Sequence, residues 1–194
     1  MSRKINLLAS LLFALSATAA YADDYPSTTS TIHFTGSIIE PTCEFANGTD
    51  ANVALGTFSV SDFTSAGANA PRSTVFTINL NKCPTPTSGL PKVQLTFTGP
   101  TVTDHPELLS VSKKTTADAG DTAATNIGIA INIGSEVTTN KLRLDGTEEQ
   151  IYIDLPSAAG SQISQDFTAR YVAYALPVTA GPADADMVVN LLYR

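Results

Sequence analysis

The amino-acid sequence predicts an all-β chain whose antiparallel strands pack as a sandwich. Three observations carry this expectation. Apolar and polar residues alternate with a period of two from Ile32 to Tyr193, the spacing that sends every second side chain to one face of a pleated strand. Turn-forming dipeptides and prolines interrupt the alternation at short intervals, as they do between hairpin-connected strands. No segment sustains a 3.6-residue apolar period beyond about two turns. About seven or eight strands around one core are expected.

The first residues stand outside that pattern. Arg3 and Lys4 precede an apolar run from Leu7 to Leu15, and Ala20-Tyr21-Ala22 closes the stretch with small residues. A charged start, a short apolar run and a small-x-small site, in that order, mark a secretory signal. Cleavage between Ala22 and Asp23 leaves 172 residues with 9 basic and 18 acidic side chains. No later run reaches the ~18 apolar residues of a membrane span. Residues 23–30 are polar and lead without a turn into Thr31-Ile32-His33-Phe34-Thr35, where Ile32 and Phe34 share one strand face.

The strands then follow in order. Phe76, Ile78 and Leu80 alternate with Thr77 and Asn79; Val93, Leu95 and Phe97 with Gln94 and Thr96. Ile127, Ile129, Ile131 and Ile133 alternate with Gly128, Ala130 and Asn132, the clearest strand of the chain. Ile151 and Ile153 come next, then Phe167, Tyr171 and Ala173 within residues 167–176, and finally Met187, Val189, Leu191 and Tyr193. Asn47-Gly48 and Asp145-Gly146 read as hairpin turns, and Pro84, Pro86, Gly99-Pro100 and Gly181-Pro182 as breakers. Residues 57–70 are expected to hold a short helix or a loop.

Composition removes several functions. The chain has 11 Lys and Arg against 18 Asp and Glu, a net charge of −7. Nucleic-acid binding needs clustered cations to neutralise phosphates, so no nucleic-acid partner is expected. Two Cys and two His do not build paired zinc sites, and no cofactor or metal is expected. Cys43 and Cys83 are the only pair in a chain bound for an oxidising compartment, so a disulfide closing about 40 residues is expected; free or redox-active thiols lack the C-x-x-C spacing. No G-x-S-x-G, H-E-x-x-H or Walker sequence occurs, so the chain is not expected to be an enzyme. His33 is read as an exposed strand residue and His105 as a turn residue beside Asp104 and Glu107. The Asp184–Asp186 carboxylates read as charge near a strand start, and Asn47-Gly48-Thr49 as a glycosylation pattern that its turn explains equally well.

Two stretches carry a resemblance. Residues 31–43, Thr-Ile-His-Phe-Thr-Gly-Ser-Ile-Ile-Glu-Pro-Thr-Cys, resemble the opening of type 1 fimbrial subunits assembled by the chaperone–usher route, and Cys83 lies at a similar spacing from Cys43. The C-terminus is also similar to theirs: Ala169-Arg170-Tyr171, then Gly181 fourteenth from the end, then an alternating strand with Tyr193 penultimate. The resemblance implies an incomplete immunoglobulin-like sandwich (the pilin fold) whose missing strand a neighbouring subunit supplies. It divides the chain into a signal (1–22), a donor extension (23–34) and a pilin domain (35–194). It assigns Thr28, Ser30, Ile32 and Phe34 to the donor face. It assigns Gly181, Met187, Val189, Leu191 and Tyr193 to the strand that borders the groove and meets the chaperone. The partners it implies are neighbouring fimbrial subunits, a periplasmic chaperone and an outer-membrane usher. The implied function is a structural subunit exported through the periplasm into a surface fimbrium that supports cell adhesion and biofilm formation. A minor adaptor or tip subunit binding a host or matrix ligand is the alternative.

Overall fold

The computed structural model describes residues 30–36, 42–46, 48, 51–87, 89–112, 120–135 and 141–194. The chain divides into two compact units, Met1–Ile38 and Ile39–Arg194. In the first, residues 30–36 carry no regular secondary structure and are exposed, Ile32 at 73% and Phe34 at 93%. The strand expected over 31–35 is therefore not formed, and His33 is exposed without being a strand residue. Alternation chooses the faces of a strand, but a strand exists only once a neighbour completes its ladder.

The second unit is all-β apart from one 3-10 turn, Val60–Asp62, among its described residues. That turn lies within the expected helix-or-loop stretch and is closed by Ser59 and Asp62, which cap each other's main chain. The strands are β1 (Glu44–Phe45), β2 (Thr74–Asn81), β3 (Lys92–Thr98), β4 (Thr101–Val102), β5 (His105–Ser110), β6 (Ile127–Ile133), β7 (Ile151–Asp154), β8 (Ile163–Ala173) and β9 (Val188–Tyr193). They form a six-stranded sheet, β1-β2-β8-β6-β5-β4, and a three-stranded sheet, β7-β3-β9, in which the named pairs are antiparallel.

The apolar faces of the two sheets meet in one core. Phe167 of β8 is its centre: its ring stacks on Phe76 of β2 and meets Phe97 of β3 edge-on, both at 5.4 Å between centroids. Leu80, Val93, Leu95, Ile129, Ile131 and Ile151 fill the space around it. Cys43 and Cys83 are disulfide-bonded within this core, joining the residue before β1 to the second residue after β2.

Two expectations need correction. His105 is not a turn residue; it opens β5, with its Nδ1 3.2 Å from Glu107 Oε1. The turn itself is Thr103-Asp104, where Asp104 takes a positive φ of 62°. Burial pulls the Glu107 carboxyl upward, but a main-chain hydrogen bond, His105 and Lys141 hold it below its ordinary value. Second, β6 is not a one-faced strand. Gly128, Ala130 and Asn132 are buried along with Ile127, Ile129 and Ile131, while Ile133 is exposed. A Cβ on Gly128 would meet the Leu109 carbonyl at 2.9 Å, so β5 and β6 approach too closely for any larger residue.

Gly181 is fixed by the same kind of crowding. Its φ is 156°, and a Cβ there would lie 2.2 Å from the Thr122 carbonyl and 2.7 Å from the Ala124 nitrogen. Next to it, Ala124 N–H donates to the Pro182 carbonyl at 3.0 Å. Gly181→Ala should force two main-chain segments apart and cost about 1–3 kcal/mol, the scale of overpacking, read as a lower urea midpoint at unchanged slope.

Candidate functional site

The C-terminal strand has an open edge. β9 pairs with β3 on one side, and among the described residues no strand pairs with it on the other. Register decides which groups that edge presents. Lys92 and Arg194 exchange both main-chain hydrogen bonds, at 3.0 and 2.9 Å. In an antiparallel pair the exchanging positions recur every second residue, so Leu192 and Asn190 also bond to β3. Tyr193, Leu191 and Val189 stand opposite Val93, Leu95 and Phe97 in the non-exchanging positions. Their N–H and C=O groups therefore point to the open edge.

The side chains of the same three residues point into the core, and the core does not cover them. Val189, Leu191 and Tyr193, with Met187 just ahead of the strand, pack against the central cluster yet are only half-buried. Their partners Val93, Leu95 and Phe97 are 0% exposed. One row of side chains is sealed and its neighbour is not, as when the next strand of a sheet is missing. Exposed edges of this kind invite pairing by another chain.

A second edge borders the same core. Ala46 N–H donates to the Asn79 carbonyl at 2.8 Å, and β1 pairs Glu44 with Asn81. By the same alternation, Cys43 and Phe45 turn their N–H groups away from β2. Cys43 N–H instead donates to the Tyr193 hydroxyl. Beside that contact lies a pocket of about 140 Å³ lined by Thr42, Pro84, Leu90, Leu155 and Tyr193.

The approach to β9 is stitched to the larger sheet. Tyr171 of β8 donates its hydroxyl to the Ala183 carbonyl at 2.9 Å; burial raises the pKa of this phenol and Asp184 raises it further. Asp184 also pairs main chain to main chain with Ser112, at 2.7 and 2.9 Å, so this acidic stretch is anchored by its backbone. Beyond the strand, Arg194 Nη2 meets Glu148 and its Nε donates to Gln94 Oε1 at 3.2 Å.

The fimbrial protein family matches residues 32–194. The chain belongs to that family. It is a structural subunit of a fimbria, and its place is a surface fimbrium. The fimbrial subunit type 1 of Salmonella typhimurium is 34% identical over 196 residues, covering 97% of this chain and 96% of that one. The type-1 fimbrial protein subunit of Serratia marcescens is 33% identical over 200 residues, covering 100% of both. Among solved structures, the P pilus rod subunit PapA superimposes with a TM-score of 0.57 at 22% identity, over 78% of this chain and 99% of PapA.

The residues singled out in the sequence fall in four places. Ala22, Asp23 and Thr28 lie outside the described residues, as does Asn47 of the glycosylation pattern. Ser30, Ile32 and Phe34 are exposed in the first unit. Val189, Leu191 and Tyr193 line the open edge, Met187 precedes it, and Gly181 lies outside β9, seven residues ahead of its first residue. What the sequence reading missed is the opposite border, Cys43 and Phe45 of the β1 edge. A two-residue strand has no period to detect; the adjoining cysteine was the one available signal. Among the described residues no cluster of His, Cys, Asp and Glu is arranged for a metal.

Proposed function

We propose that this fimbrial subunit forms the rod by donor-strand exchange: residues 23–34 of one copy fill the open edge of β9 in the next. The supporting observation is the half-buried row Val189, Leu191 and Tyr193 beside a fully buried β3. Thr28, Ser30, Ile32 and Phe34 of the donor alternate as a filling strand requires, so Ile32 and Phe34 enter the core while the donor backbone takes the free N–H and C=O groups. In this reading residues 1–22 are removed between Ala22 and Asp23 on export to the periplasm. There a chaperone covers Met187, Val189, Leu191 and Tyr193 until an outer-membrane usher hands the subunit to its neighbour, and residues 35–194 form the pilin body. The fibre then serves cell adhesion and biofilm formation.

Depolymerising purified fibres tests the rod assignment. This chain should be their dominant protein; a trace amount would mark it instead as an adaptor or tip subunit. A charge in the edge tests the groove. Leu191→Asp would place an unpaired carboxylate against Leu95 in the core, where burying an uncompensated charge costs several kcal/mol. The periplasmic level of the chaperone-bound subunit should fall at least about ten-fold by immunoblot, since 1.4 kcal/mol is already ten-fold in an equilibrium. Asn190→Asp, on the outward face of the same strand, should leave it unchanged.

A further inference from the structure

The open edge already holds one hydrogen bond that an arriving strand must break. Cys43 N–H faces away from β2 and is taken by the phenolic oxygen of Tyr193, 150 residues along the chain. Cys43 itself is buried, and a buried N–H left without an acceptor is costly. The hydroxyl thus meets a main-chain demand that, in a completed sheet, a neighbouring strand's carbonyl meets. Tyr193 reaches from the last strand towards the first, between the two edges that border the groove, and a pocket of about 140 Å³ adjoins it.

We infer that the Tyr193 hydroxyl is a stand-in for the missing strand: it occupies the Cys43 N–H in the unfilled subunit and yields it to a carbonyl of the incoming strand, so releasing this bond is part of the threshold for strand entry. The inference rests on the donor-strand reading and adds to it a residue that sets the rate of exchange. The ring and the hydroxyl have separate duties. The ring packs on the core whether the groove is empty or filled, whereas the hydroxyl matters only while the groove is empty. Removing the hydroxyl alone should therefore make strand capture easier, the opposite of what a lost structural hydrogen bond would do.

The test uses the full chain, as wild type, Tyr193→Phe and Tyr171→Phe, with a synthetic peptide of residues 23–36 as the probe. Tyr171→Phe is the control, because it deletes a half-buried tyrosine hydrogen bond, to Ala183, without touching Cys43. Tyr193→Phe should capture the peptide about five-fold faster, the worth of one neutral hydrogen bond, with unchanged peptide release. Without peptide its Cys43 amide should exchange with deuterium about ten-fold faster than in wild type, and peptide should restore protection. Tyr171→Phe should do neither. Equal capture with equal Cys43 protection in wild type and Tyr193→Phe overturns the stand-in role alone, as does slower capture or faster peptide release in the variant. Failure of wild type and both variants to capture peptide overturns the donor-strand reading, and the stand-in role with it. Should Tyr193→Phe fail to fold, the ζ-carbon resonance of wild-type Tyr193 reads the same event: it moves on peptide entry if the hydroxyl is released, and an unmoved resonance overturns the inference.

Discussion

A chain lacking residues 23–34 should fold its sandwich, be captured by the proposed periplasmic chaperone and build no fibre. Folding should survive because the described part of the deleted segment contributes no strand, with Ile32 and Phe34 exposed at 73% and 93%. Assembly should fail because, in the proposed donor-strand exchange, those two side chains are the apolar content the segment brings. Each is worth roughly 1.5–3 kcal/mol when fully buried. The hydrogen bonds it would make with Val189, Leu191 and Tyr193 add a net ~0.5–1.5 kcal/mol each. The two apolar side chains are therefore a large share of the joint, and losing either one matters. Phe34→Ala should shorten fibre lifetime in denaturant by at least about ten-fold, the equivalent of 1.4 kcal/mol. Electron micrographs of the deletion strain and the urea midpoint of the subunit–chaperone complex check the two halves. Normal fibres would remove residues 23–34 from the donor role, and a lowered midpoint would make them part of the fold.

The elements legible in the sequence were those whose pattern is local. β6 is found at Ile127–Ile133 because four isoleucines alternate with smaller residues, and β3 and β9 because Val93-Leu95-Phe97 and Val189-Leu191-Tyr193 each fill one face. β8 begins at Ile163, ahead of the expected Phe167, because Ser164, Gln165 and Asp166 offer no alternation and are held by pairing with β2. β5 was hidden by its own composition: His105-Pro106-Glu107 reads as a turn, and the adjacent Leu108 and Leu109 face opposite sides of the sheet, one to a small cluster with Ala130 and Val172 and the other to the main core. The site divides in the same way. Which residues of β9 face inward is a matter of period and could be read. That its outer edge stands open, and that Cys43 N–H meets Tyr193 across 150 residues, depends on which strands lie side by side, which no local pattern encodes.

Replacing Cys43 and Cys83 together by alanine should destabilise the folded body strongly and weaken strand capture beyond that. The bond spans 40 residues, and chain-entropy models give such a loop about 4 kcal/mol, a large share of the ~5–15 kcal/mol that holds an ordinary domain together. The neighbouring ion pair does not take over. Glu44 and Lys82, 2.8 Å apart beside the bridge, are both well exposed, and an exposed pair contributes little. The damage should also be local to the assembly edge. β1 is two residues long and, among the described residues, pairs only with β2, so the disulfide is the strongest tether on the Cys43 border of the groove. Without it, that border loses its fixed position opposite β9, and the N–H that Tyr193 holds is no longer presented to an incoming strand. The double variant should therefore lose more strand capture than a destabilised core does. Phe167→Ala, about 3–5 kcal/mol by cavity formation in the centre of the sandwich, leaves both edges tethered and serves as the matched comparison. Titrating a peptide of residues 23–36 into each chain, at a urea concentration where both remain folded, separates the two effects. Weaker capture by the disulfide variant is expected, and equal capture would confine the bridge to stability.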